Sequence, residues 1–560
     1  MPAHPGLARA LALAASAAVA LTASLAVRSA SATPPDPVPT TSPSATPSAT
    51  PSVTPSVTPS AAAAGRTPSP GPALPTATPA VPTPSGPAPT APPGLRLTAE
   101  QRALVGAVDM SRVTEHLRAL HRIATANGGN RAAGTPGYNA SRDYVANRLR
   151  RAGYRVSLQP FTFGYYEERT TPVLEQISPE RVTYTPAPRD GDADAGDFAT
   201  MVYSGSGDVT APVHPVDVTV PPAAEPSSTS GCETSDFTGF PRGAIALIQR
   251  GTCEFAVKAA NAQAAGAAAV IIFNEGQSGR TGVLRGSLKA PGITIPVVGT
   301  SYDIGKDLAT ADRPVVRVAT KTVSETRTTH NVIAESRHGD ADKVVMLGAH
   351  LDSVPEGPGM NDNASGAAAV LAVAEALGGT KTANRLRFAW WGAEELGLIG
   401  STHYVQTLSD EERERIRLYL NFDMIASPNG AIKIYDGRGS NAGAQPPGSA
   451  EIERLFRSHF DAKAQPYGTA DLNDRSDYAP FRKAGIPVGG LFTGAGEKKT
   501  AEEAKLFGGT AGEPYDACYH RSCDGLTNIN PRLLRITTEA IATAAVVYAF
   551  APDPPKAVAA

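Results

Sequence analysis

Cysteine is scarce: four residues in 560, which excludes a disulfide-dense scaffold. Charge of one sign is missing too. The 51 Lys and Arg nearly balance the 53 Asp and Glu, leaving −2. No broad electrostatic case therefore exists for nucleic acid or for an anionic membrane. After the first thirty residues, no uninterrupted apolar run reaches membrane-spanning length. Three common catalytic signatures are absent as well. There is no H-E-x-x-H zincin motif and no G-x-S-x-G nucleophile elbow. GTSYDIGKD contains a Gly-Lys, but the spacing is wrong and Asp follows the lysine, so it fails as a phosphate loop.

Proline and glycine, by contrast, are abundant at 50 and 53 residues. The prolines cluster near the start. Residues 1–32 read as an export signal: His4 and Arg9, an uncharged Ala/Leu run from Ala10 to Val27, then Ala30-Ser31-Ala32 as the cleavage site. A secreted, extracellular protein is expected. Residues 33–95 are Pro, Thr, Ser and Ala, with the short repeat SATPSATPSVTPSVTPS. Such a tract cannot bury enough apolar surface to fold, so a disordered stalk or linker is expected.

Helical spacing of apolar residues runs over Ala103–Ala126. A second helix is expected before Gly153, and YRVSLQPFTF (Tyr154–Phe163) alternates as a strand. From about 170 to 320 short strands and Pro/Gly turns dominate. There AIALIQR, a helix over FAVKAANAQAAGAA, and AVIIFN form a β-α-β unit, with GITIPVVGT as a further strand. Beyond about 330, continuous apolar strands alternate with helices, the pattern of a sheet buried on both faces. The last helix is TTEAIATAAVVYAF.

Potential metal ligands sit at the ends of three successive strands. VVMLGAHLDS reaches His350, LRFAWWGAEE reaches Glu394 and Glu395, and LYLNFDM reaches Asp423. GMNDNASG places Asp362 before a helix. Sites in α/β sheets form beyond the carboxyl ends of the strands, so these groups converge. Imidazole and carboxylates suit zinc, and one carboxylate can bridge two ions. Of two adjacent glutamates, one can ligate while the other serves as base. Asp352 is placed to orient the His350 ring. Singly, each residue has a structural explanation, as an N-cap, a solvated helix terminus or a hydrogen-bonded histidine. Their joint order does not. His116, His121, His214 and His459 show no ligand spacing. Four cysteines allow three pairings, of which Cys232–Cys253 with Cys518–Cys523 is the local one.

The ordered set GAHLDS, NDNASG, WGAEELGLIGS, NFDMI and CYHRSCD resembles the dizinc aminopeptidase family of secreted bacterial leucyl aminopeptidases. FTGFPRGAIALIQRGTCEFAVKAANAQAAGAAAVIIFNE resembles the protease-associated domain often inserted in that family. The resemblance implies an α/β fold: a three-layer α/β/α zinc-exopeptidase domain on a mixed, mainly parallel sheet, built from residues 96–168 and 322–553. A β-rich protease-associated domain over 169–321 interrupts it, and 554–560 form a tail. It further implies two Zn²⁺. His350, Asp362 and Asp423 surround one; Asp362 bridges to the other, which Glu395 and His520 complete. No ligand position departs from the family pattern.

By the same resemblance Glu394 is the general base and Tyr519 binds the tetrahedral intermediate. The carbonyl of Arg475, with Glu394 and Asp423, holds the substrate's free amine, and Cys518–Cys523 frames His520. The implied substrate is a peptide or protein with a free N-terminus, cut after a large hydrophobic residue such as Leu, by a monomer. Calcium is left undecided. Two other readings stand beside this one. A metallocarboxypeptidase on the same fold would offer cations, Arg475 and Lys498–Lys499, to a substrate carboxylate. An inactive partner-binding protein is the third.

Overall fold

The computed structural model describes residues 95–188, 195–440 and 443–556. The expected export signal, and all of the expected stalk except Leu95, lie outside the described residues. So do the last four residues of the tail.

Two eight-stranded sheets organise the described chain. The first runs, in spatial order, Arg155–Glu168, Thr322–Glu335, Asn384–Trp391, Asp340–His350, Ile416–Phe422, Val488–Phe492, Lys433–Tyr435 and Gly468–Ala470. Its four central strands, Asn384–Trp391 to Val488–Phe492, are mutually parallel, with antiparallel pairs on either side. The sheet is mixed, as expected.

Period-two alternation shows why both faces are covered. Val345, Leu347 and Ala349 face one core, with the helices Met110–Ala126, Pro136–Arg151, Gly366–Leu377, Ser449–Asp461 and Pro531–Phe550. Val344 and Met346 face the other, with Ile399–Thr407 and Tyr478–Lys483. Three layers result. Pro531–Phe550 is long and apolar enough to cross a membrane by composition, but most of it is buried against the sheet. It is a core helix.

Three local readings need correction. Ala103–Ala126 is not one helix but two, Ala99–Gly106 and Met110–Ala126. The first ends at Gly106, with its C-cap at Ala107, and Asp109 caps the second, its carboxylate accepting the Ser111 amide N–H. The strand expected to end at Phe163 runs on to Glu168. The last helix starts earlier, at Pro531, capped by Asn530.

The strand Arg155–Glu168 pairs along its whole length with Thr322–Glu335, Glu168 lying opposite Thr322. The chain thus leaves and re-enters the first sheet at one place. Between them lies the second sheet, in which Gly207–Val216, Ile245–Gln249, Ala269–Phe273 and Val297–Thr300 are successive parallel neighbours. The helix Phe255–Ala265 makes the crossover from the second of these to the third, and Gly266, at φ +88°, stops it. Cys232–Cys253 links the segment before this unit to the start of its helix.

Candidate metal centre and active site

The parallel register brings the strand ends level. Gly348 pairs with Asn421 and His350 with Trp391. Two residues on from Gly348 and Asn421 stand His350 and Asp423. Just past Trp391 the chain turns at Ala393, which holds φ +58°. Met424 (φ +48°) and His520 (φ +56°) are also left-handed without being glycine. Such backbone costs about 1–3 kcal/mol per residue and collects at functional sites. Of these three, His520 is a ligand candidate, Met424 follows one directly, and Ala393 directly precedes Glu394.

Asp362 is the hub. Its Oδ1 lies 3.1 Å from His350 Nε2, and its Oδ2 lies 3.2 Å from His520 Nε2. His350 Nε2 is also 3.2 Å from Asp423 Oδ1. His520 Nε2 is 2.9 Å from Glu395 Oε2. Two groups of side chains therefore share one carboxylate. The groups are also crowded across the sets. Donor atoms of His350, Asp362 and Glu395 fall within 4.8 Å of one another, as do those of His350, Glu394 and Asp423. His520 reaches the centre from the loop closed by Cys518–Cys523, stacked on Tyr519 at 3.8 Å between ring centroids.

These residues fit a metal. Glu395 Oε1 is buried with no hydrogen-bond partner among the described residues, an arrangement that costs free energy unless a cation meets it. Burial pushes the Glu395 carboxyl up to about 8, and the neighbouring Asp362 adds to the shift. Burial likewise pushes Glu394 well above the carboxylate range, with Asp477, Asp423 and Glu395 contributing. Packing so many buried carboxyls together is unfavourable without positive charge among them. The donor set of imidazoles and carboxylates suits zinc.

The supporting contacts add detail that sequence reading missed. Asp352 meets His350 Nδ1 through its backbone carbonyl, at 3.2 Å, while its carboxylate stays 3.8 Å away. The Asp352 carboxylate instead accepts the amide N–H groups of Glu394 and Glu395, at 3.3 and 3.4 Å. Ser476 donates to Asp423 Oδ2 at 2.6 Å and accepts from Asn421. Its only sequence signal was its place in NDRSDYAPF.

The centre opens into a cavity of about 370 Å³. Glu394, Asp423, Arg475, Ser476, Tyr519 and His520 line it, with Met424, Tyr435, Tyr478 and Phe492 on its apolar wall. Of the cations considered for a substrate carboxylate, Lys499 is buried elsewhere, donating to the carbonyls of Gly430 and Gly508. Lys498 does not line the cavity, whereas Arg475 does. Lys433 does, but it is paired with Glu503 at 3.2 Å. Larger hollows, of about 680 and 970 Å³, lie elsewhere and contain none of these ligands.

Comparison with known proteins agrees with this geometry. Residues 331–545 match peptidase family M28, and residues 209–308 match the PA domain. The aminopeptidase of Pseudomonas aeruginosa is 50% identical over 437 residues, covering 77% of this chain and 79% of that one. Leucine aminopeptidase 2 of Trichophyton rubrum is 47% identical over 327 residues, covering 58% and 66%. Among solved structures, the aminopeptidase from Aneurinibacillus sp. strain AM-1 matches with a TM-score of 0.54 at 26% identity, covering 82% of this chain and 97% of that one. The chain therefore belongs to peptidase family M28, as an aminopeptidase that carries a PA domain within its sequence.

Proposed function

We propose that this protein is a secreted dizinc aminopeptidase that removes large hydrophobic N-terminal residues, such as leucine, from peptides and proteins. The observation that carries the reading is the Asp362 carboxylate, whose two oxygens face two different histidines. His350 and Asp423 complete one donor set with it; His520 and Glu395 complete the other. When bound, zinc lowers the pKa of a water toward neutrality and polarises a carbonyl oxygen.

The chain's own residues do the rest. Glu394, held by its backbone N–H on Asp352, takes the proton of the attacking water and returns it to the leaving amine. Tyr519, on the cavity wall, donates to the oxygen that gains charge. Ser476 fixes the rotamer of Asp423. Glu394, Asp423 and the Arg475 carbonyl receive the substrate's free ammonium. An internal peptide lacks that charge, and leaves the buried carboxylates uncompensated. The apolar wall of Met424, Tyr435, Tyr478 and Phe492 supports a hydrophobic first residue. The pairing of all four cysteines supports an oxidising compartment.

The test is hydrolysis of leucine p-nitroanilide beside its N-acetyl form, with and without a chelator. We expect cleavage of the free-amine substrate only, abolished by chelation and restored by zinc at two ions per chain. Equal cleavage of the acetylated form refutes the amine-binding reading, and activity that survives complete metal removal refutes the zinc one.

A further inference from the structure

Arg131 lies in the turn between Met110–Ala126 and Pro136–Arg151, far in sequence from every ligand, and it is fully buried. Its guanidinium is committed to three backbone carbonyls. Nη1 donates to Leu351, Nε to Pro358 at 3.0 Å, and Nη2 to Gly359 at 2.7 Å. Leu351 follows His350 directly, and Gly359 precedes Asp362 by three residues. One side chain thus ties both ends of the segment that separates two ligands.

Other contacts hold the same segment around Arg131. The Arg131 amide N–H donates to Ser353 Oγ at 2.9 Å, and that hydroxyl lies 2.9 Å from the Gly357 carbonyl, to which it donates. Asn130 donates to the Pro355 carbonyl at 3.1 Å. Gly359 is at φ +62°, and a Cβ there would stand 2.3 Å from the Asp362 carbonyl oxygen and 3.1 Å from Arg131 Nη2. The loop is shaped to admit the guanidinium. The cation also interacts electrostatically with Asp352, Asp524, Asp362 and Glu395, and so offsets part of the anionic cluster.

We propose that Arg131 is a positioning residue of the metal centre: through the Leu351, Pro358 and Gly359 carbonyls it sets the spacing of His350 from Asp362, and with it the zinc affinity. This rests on the zinc reading given above. A planar fork with donors in fixed directions is required, because a lysine offers one nitrogen and cannot span three carbonyls.

The experiment titrates the metal-stripped full chain with zinc against a chromophoric chelator, for wild type, Arg131→Lys and Arg131→Met. Folding is checked by circular dichroism and a cooperative thermal transition. Zinc Kd is expected to weaken about 10–100-fold in both variants, the effect of losing a group that orients ligands. Saturating zinc is expected to restore most of the kcat, with KM unchanged. A folded Arg131 variant with wild-type zinc Kd overturns the proposal. Should neither variant fold, Ser353→Ala keeps the guanidinium and removes the hydroxyl bridge. Its Kd is expected to weaken about threefold, the scale of one ordinary hydrogen bond, and an unchanged Kd overturns the proposal. Wild-type protein that binds no zinc in this titration overturns the zinc reading and this one together.

Discussion

The Asp524 carboxylate sits beneath the backbone of Asp362. Its two oxygens accept the amide N–H groups of Asn361, at 2.8 Å, and of Asp362, at 3.0 Å. Asp524 also follows Cys523 directly, so the disulfide loop that carries His520 is tied to the loop that carries Asp362. Asn528 donates to both Asp524 and Asp516 and extends the tie.

Asp524→Asn is expected to loosen the centre without touching a ligand. A charged acceptor hydrogen-bonded to two amides contributes about 1.5–3 kcal/mol each. We expect zinc content to fall on dialysis and kcat to drop about 10–100-fold, with KM for leucine p-nitroanilide within a factor of about three. Full retention of zinc and kcat would show that the tie is idle.

Glu394→Gln separates the base from the ligands. If Glu394 moves the proton, kcat is expected to fall about 10²–10⁴-fold while metal analysis finds the wild-type zinc content. Glu395→Gln should instead lose zinc. The crowding of His350, Glu394 and Asp423 donor atoms within 4.8 Å makes this a sharp comparison. Loss of zinc from Glu394→Gln, with zinc retained in Glu395→Gln, reverses the two roles.

Glu375 joins three helices. It sits on Gly366–Leu377 and meets Arg148 of Pro136–Arg151 and His116 of Met110–Ala126. Burial by itself raises its pKa, but the nearby His116 ring, 3.4 Å away, and the hydrogen bonds from Arg148 overrule this and hold it down at about 2, from an ordinary 4.5. A depressed folded pKa means stability present above about 4.5 and lost as pH falls toward 2. Glu375→Gln should therefore cost about 1–2 kcal/mol at pH 6, allowing for partial exposure, and progressively less between pH 4.5 and 2.5. Denaturant melts of both proteins across that range check it. A gap that does not narrow on acidification refutes the linkage.

The Cys232–Cys253 bond closes a 21-residue separation, for which the loop-entropy estimate is ~3 kcal/mol. Cys232→Ser with Cys253→Ser should lower the thermal midpoint of the inserted unit. The kcat on leucine p-nitroanilide should stay within about twofold, because no described residue of that unit lines the catalytic cavity. A large loss of kcat at a temperature where the variant stays folded would show that the insertion shapes the site.

Much of the fold was legible because its signals are local. Runs such as VVMLGA and AVIIF are apolar at every position, and that pattern requires cover on both faces of a sheet. Thr322–Glu335 was not read as a strand. Its first half, TVSETRT, is polar, and only its antiparallel partner Arg155–Glu168 makes it part of a sheet. The break between Gly106 and Met110, where Asp109 caps a second helix, lies in a stretch that apolar spacing alone ran straight through. The spacing reports a buried face, not where the backbone changes direction.

His350, Glu394, Glu395 and Asp423 followed from residue type and position at the ends of strands, and Asp362 from its place before a helix; His520 came only with the family resemblance. Whether they meet was decided in three dimensions. His350 and Asp423 are 73 residues apart, Arg131 and Leu351 are 220 apart, and Asp362 and Asp524 are 162 apart. Left-handed turns at Ala393, Met424 and His520 occur at residues whose chemistry gives no hint of them. Sequence periodicity tells which side of an element is buried. Side-chain direction, loop path and the partner of each buried polar group arise only when the whole sheet has set its register and every donor must find an acceptor. The sequence by itself therefore determined the elements and the chemistry at their ends, and the tertiary structure decided the contacts that hold that chemistry in place.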